Sequence, residues 1–243
     1  MSQFQFSRFN YLPPVIKNLL ILNGLVWLAC ITFPNLIDHL ALSFPTSPLF
    51  KPYQFVTHMF THQAFTDEGH IYFAHIFFNM FSLWMFGAVL ENVWGPKRFL
   101  TFYLITGLGA AMMNMGVNAY QLYHAVGTPN PDVFYNGHNF TGNYSLQQLQ
   151  VINNCYSPVV GASGAIYGVL IAFGMLFPNT LLYIYFLLPV KAKYVVAILI
   201  GIEIYMGFVN SGGDNIAHFA HLGGALFGFL LVKYWGRNKN QFY

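Results

Sequence analysis

The chain has 243 residues, of which 56% are hydrophobic and only 7% are charged. Soluble domains carry about 25% charged residues, so this composition excludes an ordinary soluble domain and indicates a polytopic membrane protein. The formal net charge of +3 comes without a basic run and does not suggest a nucleic-acid partner.

Six apolar stretches are candidates for membrane-spanning helices, because a bilayer core about 30 Å thick needs about 20 apolar residues. Since that core holds no water, each stretch must be helical to satisfy its own backbone hydrogen bonds. The predicted spans are residues 16–35, 71–92, 98–118, 161–177, 190–209 and 216–235. We therefore predict an all-α polytopic membrane protein with a six-transmembrane-helix core.

The regions between the spans complete a predicted single membrane domain over residues 1–243. Two long polar connections, 36–70 and 119–160, are predicted to be external loops, and residues 1–15 and 236–243 are predicted to be cytoplasmic. The first apolar stretch lacks a small-residue cleavage pattern, so we interpret it as a retained helix and not as a signal peptide.

The lysines and arginines set the predicted orientation. With six spans and the N-terminus inside, only Lys51 of the ten falls outside, and the 119–160 loop has none. Cytoplasmic loops carry an excess of Lys and Arg, so this distribution predicts cytoplasmic N- and C-termini. A compact core without an added soluble domain favours a bacterial inner membrane.

The fourth predicted span is too short to cross the bilayer. From Ser163 to Phe177 it has 15 residues, or roughly 22 Å at 1.5 Å per residue. If its inner end lies at the cytoplasmic interface, Ser163 lies at a helix start below the outer surface. Non-helical backbone at that depth must be buried in protein or line a wet cavity, so we predict a water-filled pocket open to the outside.

Spans two, four and six all run from outside to inside, and each carries unusual polar residues in its first turns. These residues are His75 and Asn79, Ser163, and His221. Polar side chains within a membrane are expensive and are functional candidates by default. A serine hydroxyl is a weak nucleophile until a neighbouring base removes its proton, and His221 is the candidate base. The pattern predicts hydrolysis within the membrane.

Small residues predict how the hydroxyl and the imidazole meet. Span six carries three small residues and His221 in a narrow stripe at i, i+4, i+7 and i+11. Span four carries a matching pair of glycines four residues apart. The positions are Ala217, His221, Gly224 and Gly228 on span six, and Gly164 and Gly168 on span four. Small residues at this spacing let membrane helices approach closely, so His221 is expected within hydrogen-bonding reach of Ser163.

The developing oxyanion of such a hydrolysis needs hydrogen-bond donors. We expect them from the backbone N–H groups around Ser163, which include Gly161 and Ala162, from the Asn79 amide and from His75.

Tyr167 lies one turn below Ser163 and is expected to pack on the imidazole. No acidic residue is predicted as a third member of the site, because Glu203 lies well down span five and Asp214 lies in a loop. The sequence therefore predicts a Ser-His dyad.

No metal and no cofactor are predicted. His58 and His62 have i, i+4 spacing, but no third ligand accompanies them convincingly. The chain has no HExxH motif. Its two cysteines, Cys30 and Cys155, show neither CxxC nor Cys/His ligand spacing.

Each candidate residue taken alone also has a structural interpretation. A serine in a glycine-rich membrane helix usually packs, and an asparagine such as Asn79 often links helices by a hydrogen bond. A lone His75 is also typical of an interfacial anchor, and Tyr167 of an ordinary core aromatic. His218 lies off the glycine stripe and is interpreted as a packing or loop-bonding residue, not the base. The functional prediction rests on the combination.

Three segments, in order and spacing, closely resemble the signature segments of the rhomboid intramembrane serine proteases. They are HIFFNM at residues 75–80, GASG at 161–164 and AHLGGALFG at 220–228. The resemblance runs from about Tyr53 to the end of the sixth span, and the motifs are specific only when taken together.

The resemblance implies a six-helix rhomboid core with Ser163 as nucleophile and His221 as general base. It also implies that Asn79 and His75 line the oxyanion hole and that Tyr167 stacks on the imidazole. The GxSxG motif of soluble hydrolases is absent.

For partners, the resemblance implies the lipid bilayer and transmembrane protein substrates, which are cut near their outer end. Small residues are favoured at the cleavage point, and helix-weakening residues beyond it. The substrate helix is expected to enter past span five and a cap loop around Ser211–Asn215.

The chain departs from the family pattern in two external loops. Tyr53-Gln54 stands where many members carry Trp-Arg. The packing of the first external loop is therefore not predicted from the family pattern. The 119–160 loop is longer than in minimal bacterial members, and its fold is not predicted.

Two other functional classes compete with an endopeptidase. A rhomboid-like pseudoprotease would bind transmembrane clients without cleavage, but that class typically lacks the serine or the histidine, and both are present here. A transporter would normally show paired intramembrane charges or broken helices in corresponding halves, and neither is evident beyond Glu203.

Overall fold

The computed structural model describes residues 9–66, 68–137, 139–184, 187–209 and 218–237, and this part of the chain is mostly helical, as predicted. The α-helices are α1 (Pro14–Thr32), α2 (Leu36–Leu40), α3 (Gln54–Thr57), α4 (Phe73–Ser82), α5 (Ala88–Trp94), α6 (Pro96–Val126), α7 (Leu146–Tyr156), α8 (Ser163–Leu176), α9 (Ala192–Val209) and α10 (His218–Arg237). A 3₁₀ turn (His58–Phe60) follows α3, and a π-helical turn (Leu83–Gly87) joins α4 to α5.

Four helices in the described part of the chain are long and apolar enough to cross a membrane by length and composition. They are Pro14–Thr32, Phe73–Trp94, Pro96–Val126 and Ala192–Val209. The fourth predicted span is the shorter apolar helix α8, with 14 residues. The sixth coincides with α10, which has 20 residues. Membrane character is thereby supported, while the count of six spans stays a prediction.

The third predicted span is longer than expected. Helix α6 has 31 residues and continues eight residues past the predicted end at 118, so the start of the predicted 119–160 loop is helical. No glycine or proline interrupts residues 117–126, and the helix ends only where Gly127 adopts a left-handed conformation with φ 78°.

Short strands in two connections were not predicted. Strands β1 (Phe134–Tyr135) and β2 (Phe140–Thr141) pair antiparallel within the 119–160 connection, which is predicted to be external and keeps the name long external loop. Strands β3 (Leu181–Ile184) and β4 (Leu188–Lys191) pair antiparallel between α8 and α9, with Leu181 opposite Lys191.

The long external loop also contains α7, which begins with a capping box. The Ser145 side chain accepts from the Gln148 backbone N–H, and the Gln148 side chain accepts from the Ser145 N–H. Serine followed three residues later by glutamine is a readable sequence sign of a helix start. Helix α7 is held against the outer part of α6 by bonds such as Asn118 Nδ2 to the Cys155 carbonyl, 2.9 Å.

The two external loops share a hydrophobic cluster with the C-terminal half of α6. Its largest fully buried members are Leu42, Leu122, Ile152 and Tyr156. A backbone bridge between Leu42 and Val159 joins the loops directly. The loops therefore form one packed layer on the end of the helix bundle.

Gln54, at the position where the sequence departs from the family pattern, organises the first external loop. Its side chain is fully buried, accepts hydrogen bonds from the backbone N–H groups of Ser43 and Lys51, and donates to the carbonyls of His39 and Leu49. An amide with both donors and both lone pairs engaged is well suited to such a position. The loop thus packs around Gln54 without an arginine.

Glu91 fixes the start of α1 at the opposite end of the bundle. Its buried carboxylate accepts from the backbone N–H groups of Val15 and Ile16 at 2.9 and 2.8 Å. The first N–H groups of a helix have no partner within the helix, so this carboxylate satisfies two of them and complements the helix dipole.

We expect Glu91→Ala to lower the free energy of unfolding by about 2 kcal/mol or more, because two buried N–H groups lose their acceptor. Thermal unfolding in detergent, followed by circular dichroism, measures the effect. Glu68→Ala, at an exposed loop position, is the control and should leave the midpoint unchanged. Equal midpoints for both variants would contradict the role of Glu91.

Helices α8 and α10 make the predicted close contact along their glycines. A Cβ atom built on Gly224 would lie 1.8 Å from the Gly164 carbonyl oxygen, and one built on Gly228 would lie 2.8 Å from Gly168 Cα. Both pairs of the predicted stripe therefore meet, and the helices run parallel with their backbones in contact. Ala217, the first position of the stripe, lies outside the described residues.

Helix α6 completes this packing and was not foreseen as a partner. A Cβ on Gly164 would meet Ala110 Cβ at 2.5 Å, and one on Gly168 would meet Thr106 Cβ at 2.7 Å. The three helices α6, α8 and α10 thus form the centre of the bundle.

Candidate active site

The loop before α8 brings Ser163 to the first position of the helix. Gly161 adopts φ 123°, a conformation that L side chains rarely adopt. A Cβ there would also lie 3.1 Å from His75 Nε2 and 3.5 Å from Ser163 Oγ. Glycine is therefore favoured at this position by its backbone conformation and by the tight space beside His75.

Ser163 and His221 contact each other. The serine Oγ lies 2.7 Å from His221 Nε2, although the residues are 58 positions apart in the chain. Tyr167 stacks on the imidazole, with ring centroids 4.4 Å apart and an interplanar angle of 11°. The His221 side chain is 12% exposed. The candidate nucleophile and the candidate base thus meet at a nearly buried position, where the Tyr167 ring packs against the imidazole.

Two histidines of the first external loop hold the segment before Ser163. The Gly161 N–H donates to the His58 carbonyl at 3.0 Å, and the Ala162 N–H donates to His62 Nε2 at 3.4 Å. Burial lowers the pKa of His58 to about 4. For His62, burial and then the charge of His75 lower the pKa to about 3. Both rings are therefore neutral near pH 7, as an accepting Nε2 requires.

These two hydrogen bonds correct the expected role of the Gly161 and Ala162 N–H groups as oxyanion donors. Their N–H groups are engaged by His58 and His62, so they do not point freely at a reacting group. The N–H groups of the first turn of α8, beginning with Ser163, have no acceptor within the helix. These remain available as donors beside Oγ.

His75 and Asn79 lie on the first turns of α4, as expected. His75 Nδ1 accepts from the Gln63 backbone N–H at 3.3 Å, which in a neutral ring leaves the proton on Nε2, the nitrogen beside Gly161. Asn79 Nδ2 donates to the His75 carbonyl at 2.9 Å within its own helix, and Asn79 is 8% exposed. His75 Nε2 is therefore a donor aimed at the region of Ser163, and Asn79 keeps a second amide proton.

Glu203 is the residue that sequence reasoning missed. Its Oε2 lies 2.7 Å from His218 Nδ1 and 3.1 Å from His221 Nδ1, and its Oε1 accepts from the Tyr167 hydroxyl. The prediction that no acidic residue approaches the site is wrong. His218, interpreted as a packing or loop-bonding residue, binds this carboxylate instead. Asp214 lies outside the described residues, as does the predicted cap loop at 211–215.

The depth of Glu203 explains the error. Helix α9 runs opposite to its neighbours, since its first part packs near Gly174 and its last part near Phe219. Glu203 lies six residues before the end of α9, or roughly 9 Å below it. A 14-residue helix such as α8 covers roughly 21 Å, which is also about 9 Å short of a 30 Å core. If α9 ends at the outer surface of the core and α8 ends at the inner surface, Glu203 and Ser163 lie at the same depth.

One group of side chains in the described part of the chain could hold a metal ion. The ligand atoms of Glu203, His218 and His221 all lie within 4.8 Å of one another. Two histidines and a carboxylate are a ligand set that suits zinc. Coordination through His221 Nδ1, the nitrogen that lies 3.1 Å from Glu203, would leave the ring proton on Nε2, so that Nε2 could no longer accept a proton from Ser163. The expectation of a metal-free site stays a prediction.

A family profile described as the Rhomboid domain matches residues 50–238. The chain is 25% identical over 238 residues to the putative rhomboid protease YdcA of Bacillus subtilis, covering 94% of each chain. It is 31% identical over 157 residues to the mitochondrial RHOMBOID-like protein 12 of Arabidopsis thaliana, covering 65% of this chain and 41% of that one.

Other relatives are matched over part of their length. The Rhomboid protease GluP of Bacillus subtilis is 27% identical over 176 residues, which is 70% of this chain and 25% of GluP. The chain spans 39% of the length of the mitochondrial Rhomboid protein 1 of Saccharomyces cerevisiae. The relatives thus include bacterial and mitochondrial proteins, and several span well beyond the matched region. With the profile covering most of its length, the chain belongs to the rhomboid family.

Proposed function

We propose that this chain is a serine endopeptidase that cleaves transmembrane segments of single-pass membrane proteins near the outer face of the bilayer. The observation that carries the proposal is the 2.7 Å contact between Ser163 Oγ and His221 Nε2. The contact joins two helices at the predicted site, and relatives such as GluP are named as rhomboid proteases.

The proposed reaction is acyl transfer through Ser163. As Oγ attacks the scissile carbonyl carbon, His221 Nε2 takes the hydroxyl proton. The tetrahedral intermediate collapses when the imidazolium donates that proton to the leaving amine. Water then attacks the acyl-enzyme by the same route, which releases the carboxylic acid product and restores the serine.

Donors for the oxyanion come from two sides of Ser163. The N–H groups at the start of α8 lie on one side, at the positive end of the helix dipole. His75 Nε2 and the second amide proton of Asn79 lie on the side of α4. Donors fixed in advance at the place where negative charge develops are usually the largest single contribution to catalysis.

The proposed substrate is a transmembrane helix that reaches the site past α9. The lipid-facing residues Ile198, Ile202, Tyr205 and Phe208 of α9 are at least half exposed. Such a surface supports lateral contact with another apolar helix. The preference for small residues at the cleavage point, and for helix-weakening residues beyond it, is part of the same proposal.

We also propose that the chain is a single domain with cytoplasmic termini, in a bacterial inner membrane. The distribution of Lys and Arg supports the orientation. The bonds from α1 to Glu91 put the start of α1 and the end of α5 at one end of the bundle, which is consistent with one membrane side for both.

The test uses the full chain reconstituted in liposomes with a single-pass substrate. We expect cleavage within the outer part of the substrate helix. Modification by a fluorophosphonate should map to Ser163 by mass spectrometry and should abolish cleavage. Binding of the substrate without cleavage would instead favour the pseudoprotease. Cleavage that persists after complete modification of Ser163 would refute the nucleophile.

A further inference from the structure

We infer that Glu203 is a positioning residue for His221, so that the site works as a Ser163–His221–Glu203 unit and not as a dyad. This inference rests on the proposed function, since it assigns a role in the same reaction. It starts from the convergence of three side chains on one carboxylate that lies beside the base.

The surroundings of Glu203 are built for a buried carboxylate. Its side chain is 9% exposed. An unpartnered charge at that depth is very costly, so a carboxylate persists there only with hydrogen-bond partners. His218 Nδ1 and the Tyr167 hydroxyl supply them, one at each carboxylate oxygen. These partners come from α10 and α8, so three helices fix the position of the group.

Glu203 faces the nitrogen of His221 that does not face the serine. Nε2 must carry a lone pair to accept the Oγ proton, so Nδ1 must carry the ring proton. A carboxylate oxygen 3.1 Å from Nδ1 favours that tautomer and stabilises the imidazolium formed during attack. In this structure, Nδ1 has no aligned hydrogen-bond acceptor among the described residues. Alignment of this kind commonly tightens when substrate binds.

Tyr167 links the carboxylate to the base a second time. Its ring lies flat against the imidazole while its hydroxyl donates to Glu203 Oε1. The two contacts are separable, because phenylalanine keeps the ring and removes only the hydroxyl. The Tyr167 hydroxyl is therefore connected to His221 through Glu203, whereas the Tyr167 ring contacts the imidazole directly.

The first experiment measures cleavage by Glu203→Gln, which keeps the shape and removes the charge. We expect kcat to fall by about 10- to 100-fold, a smaller loss than removal of the base, with KM unchanged. The rate of fluorophosphonate labelling at Ser163 should fall in parallel, since it reports the activated serine without a substrate helix. Values of kcat and of the labelling rate within twofold of the wild type would overturn the inference.

The second experiment tests the linkage by a double-mutant cycle. Tyr167→Phe should lower kcat by about 3- to 10-fold, and the double variant with Glu203→Gln should be no slower than Glu203→Gln alone. Independent effects that multiply would overturn the inference. If Glu203→Gln fails to fold, as judged by its thermal midpoint, Tyr167→Phe decides the matter: an unchanged kcat contradicts the positioning role.

Ser163→Ala, measured in parallel, separates this inference from the proposed function. An inactive Ser163→Ala beside a fully active Glu203→Gln removes only the role of Glu203. Cleavage by Ser163→Ala would remove the proposed nucleophile itself.

Discussion

Ser163→Ala and His221→Ala are each expected to reduce the cleavage rate by about 10⁴-fold or more, and the double variant is expected to be no slower than either. The reason is that the hydroxyl and the imidazole act as a unit: neither an unactivated serine nor a base without a nucleophile supports acyl transfer. The measurement is single-turnover cleavage of a reconstituted substrate, with folding checked by the thermal midpoint.

His218→Ala is the matched control for His221→Ala, because it removes an imidazole one turn away on the same helix. The structure places His218 on Glu203 and His221 on Ser163. We expect His218→Ala to lose at most a few-fold in rate. A loss as large as that of His221→Ala would mean that the base is misassigned.

Gly224→Ala is expected to reduce cleavage by about 100-fold or more, although the residue carries no chemistry. Its added Cβ would lie 1.8 Å from the Gly164 carbonyl oxygen, which is backbone and cannot rotate away. Helices α8 and α10 must therefore separate, and His221, one turn from Gly224, moves away from Ser163. Overpacking of this kind also lowers stability by about 1–3 kcal/mol. Cleavage and thermal unfolding in detergent measure the two effects.

Gly116→Ala on α6 is the control for this substitution, because a Cβ at Gly116 meets nothing within 4 Å. Alanine is a better helix former than glycine, so Gly116→Ala should be as active as the wild type and equally or slightly more stable. A Gly224→Ala variant with full activity would show that the close helix contact does not position the base.

The meeting of Ser163 and His221 was predictable because two local rules apply to it at once. The glycines on both helices fall on one stripe by helix geometry, and small residues mark the faces where membrane helices touch. The stacking of Tyr167 follows from its position one turn below Ser163. These contacts need only the helical period and a parallel pair of helices.

Glu203 was not placed in this way, because its partners lie on α8 and α10, which both run opposite to α9. Its depth follows from the sequence only by comparison of two distances: how far Ser163 lies below the outer surface because α8 is short, and how far Glu203 lies before the end of α9. That step was open to sequence reasoning and puts Glu203 at the level of Ser163, in agreement with their shared contacts to His221.

The roles of His58 and His62 depended on tertiary structure. Their i, i+4 spacing is equally typical of a metal pair, and nothing local shows that they bind the backbone of the 161–162 segment. The long external loop was partly readable, since Ser145 and Gln148 mark the start of α7, but strands as short as two residues carry no usable pattern.

The length of α6 has a consequence for what can stand above the membrane. Its 31 residues extend roughly 46 Å if straight, while a hydrocarbon core spans only about 30 Å. An upright α6 that begins at the inner surface would rise about three turns above the lipid on the side that is predicted to be external. The packed layer of both external loops rests on that projecting part of α6. The surface around the proposed entrance is therefore packed structure and not loose chain. Under the proposed function, we expect that a bulky ectodomain joined to its membrane anchor by only a residue or two would collide with that layer before its peptide bond reached Ser163.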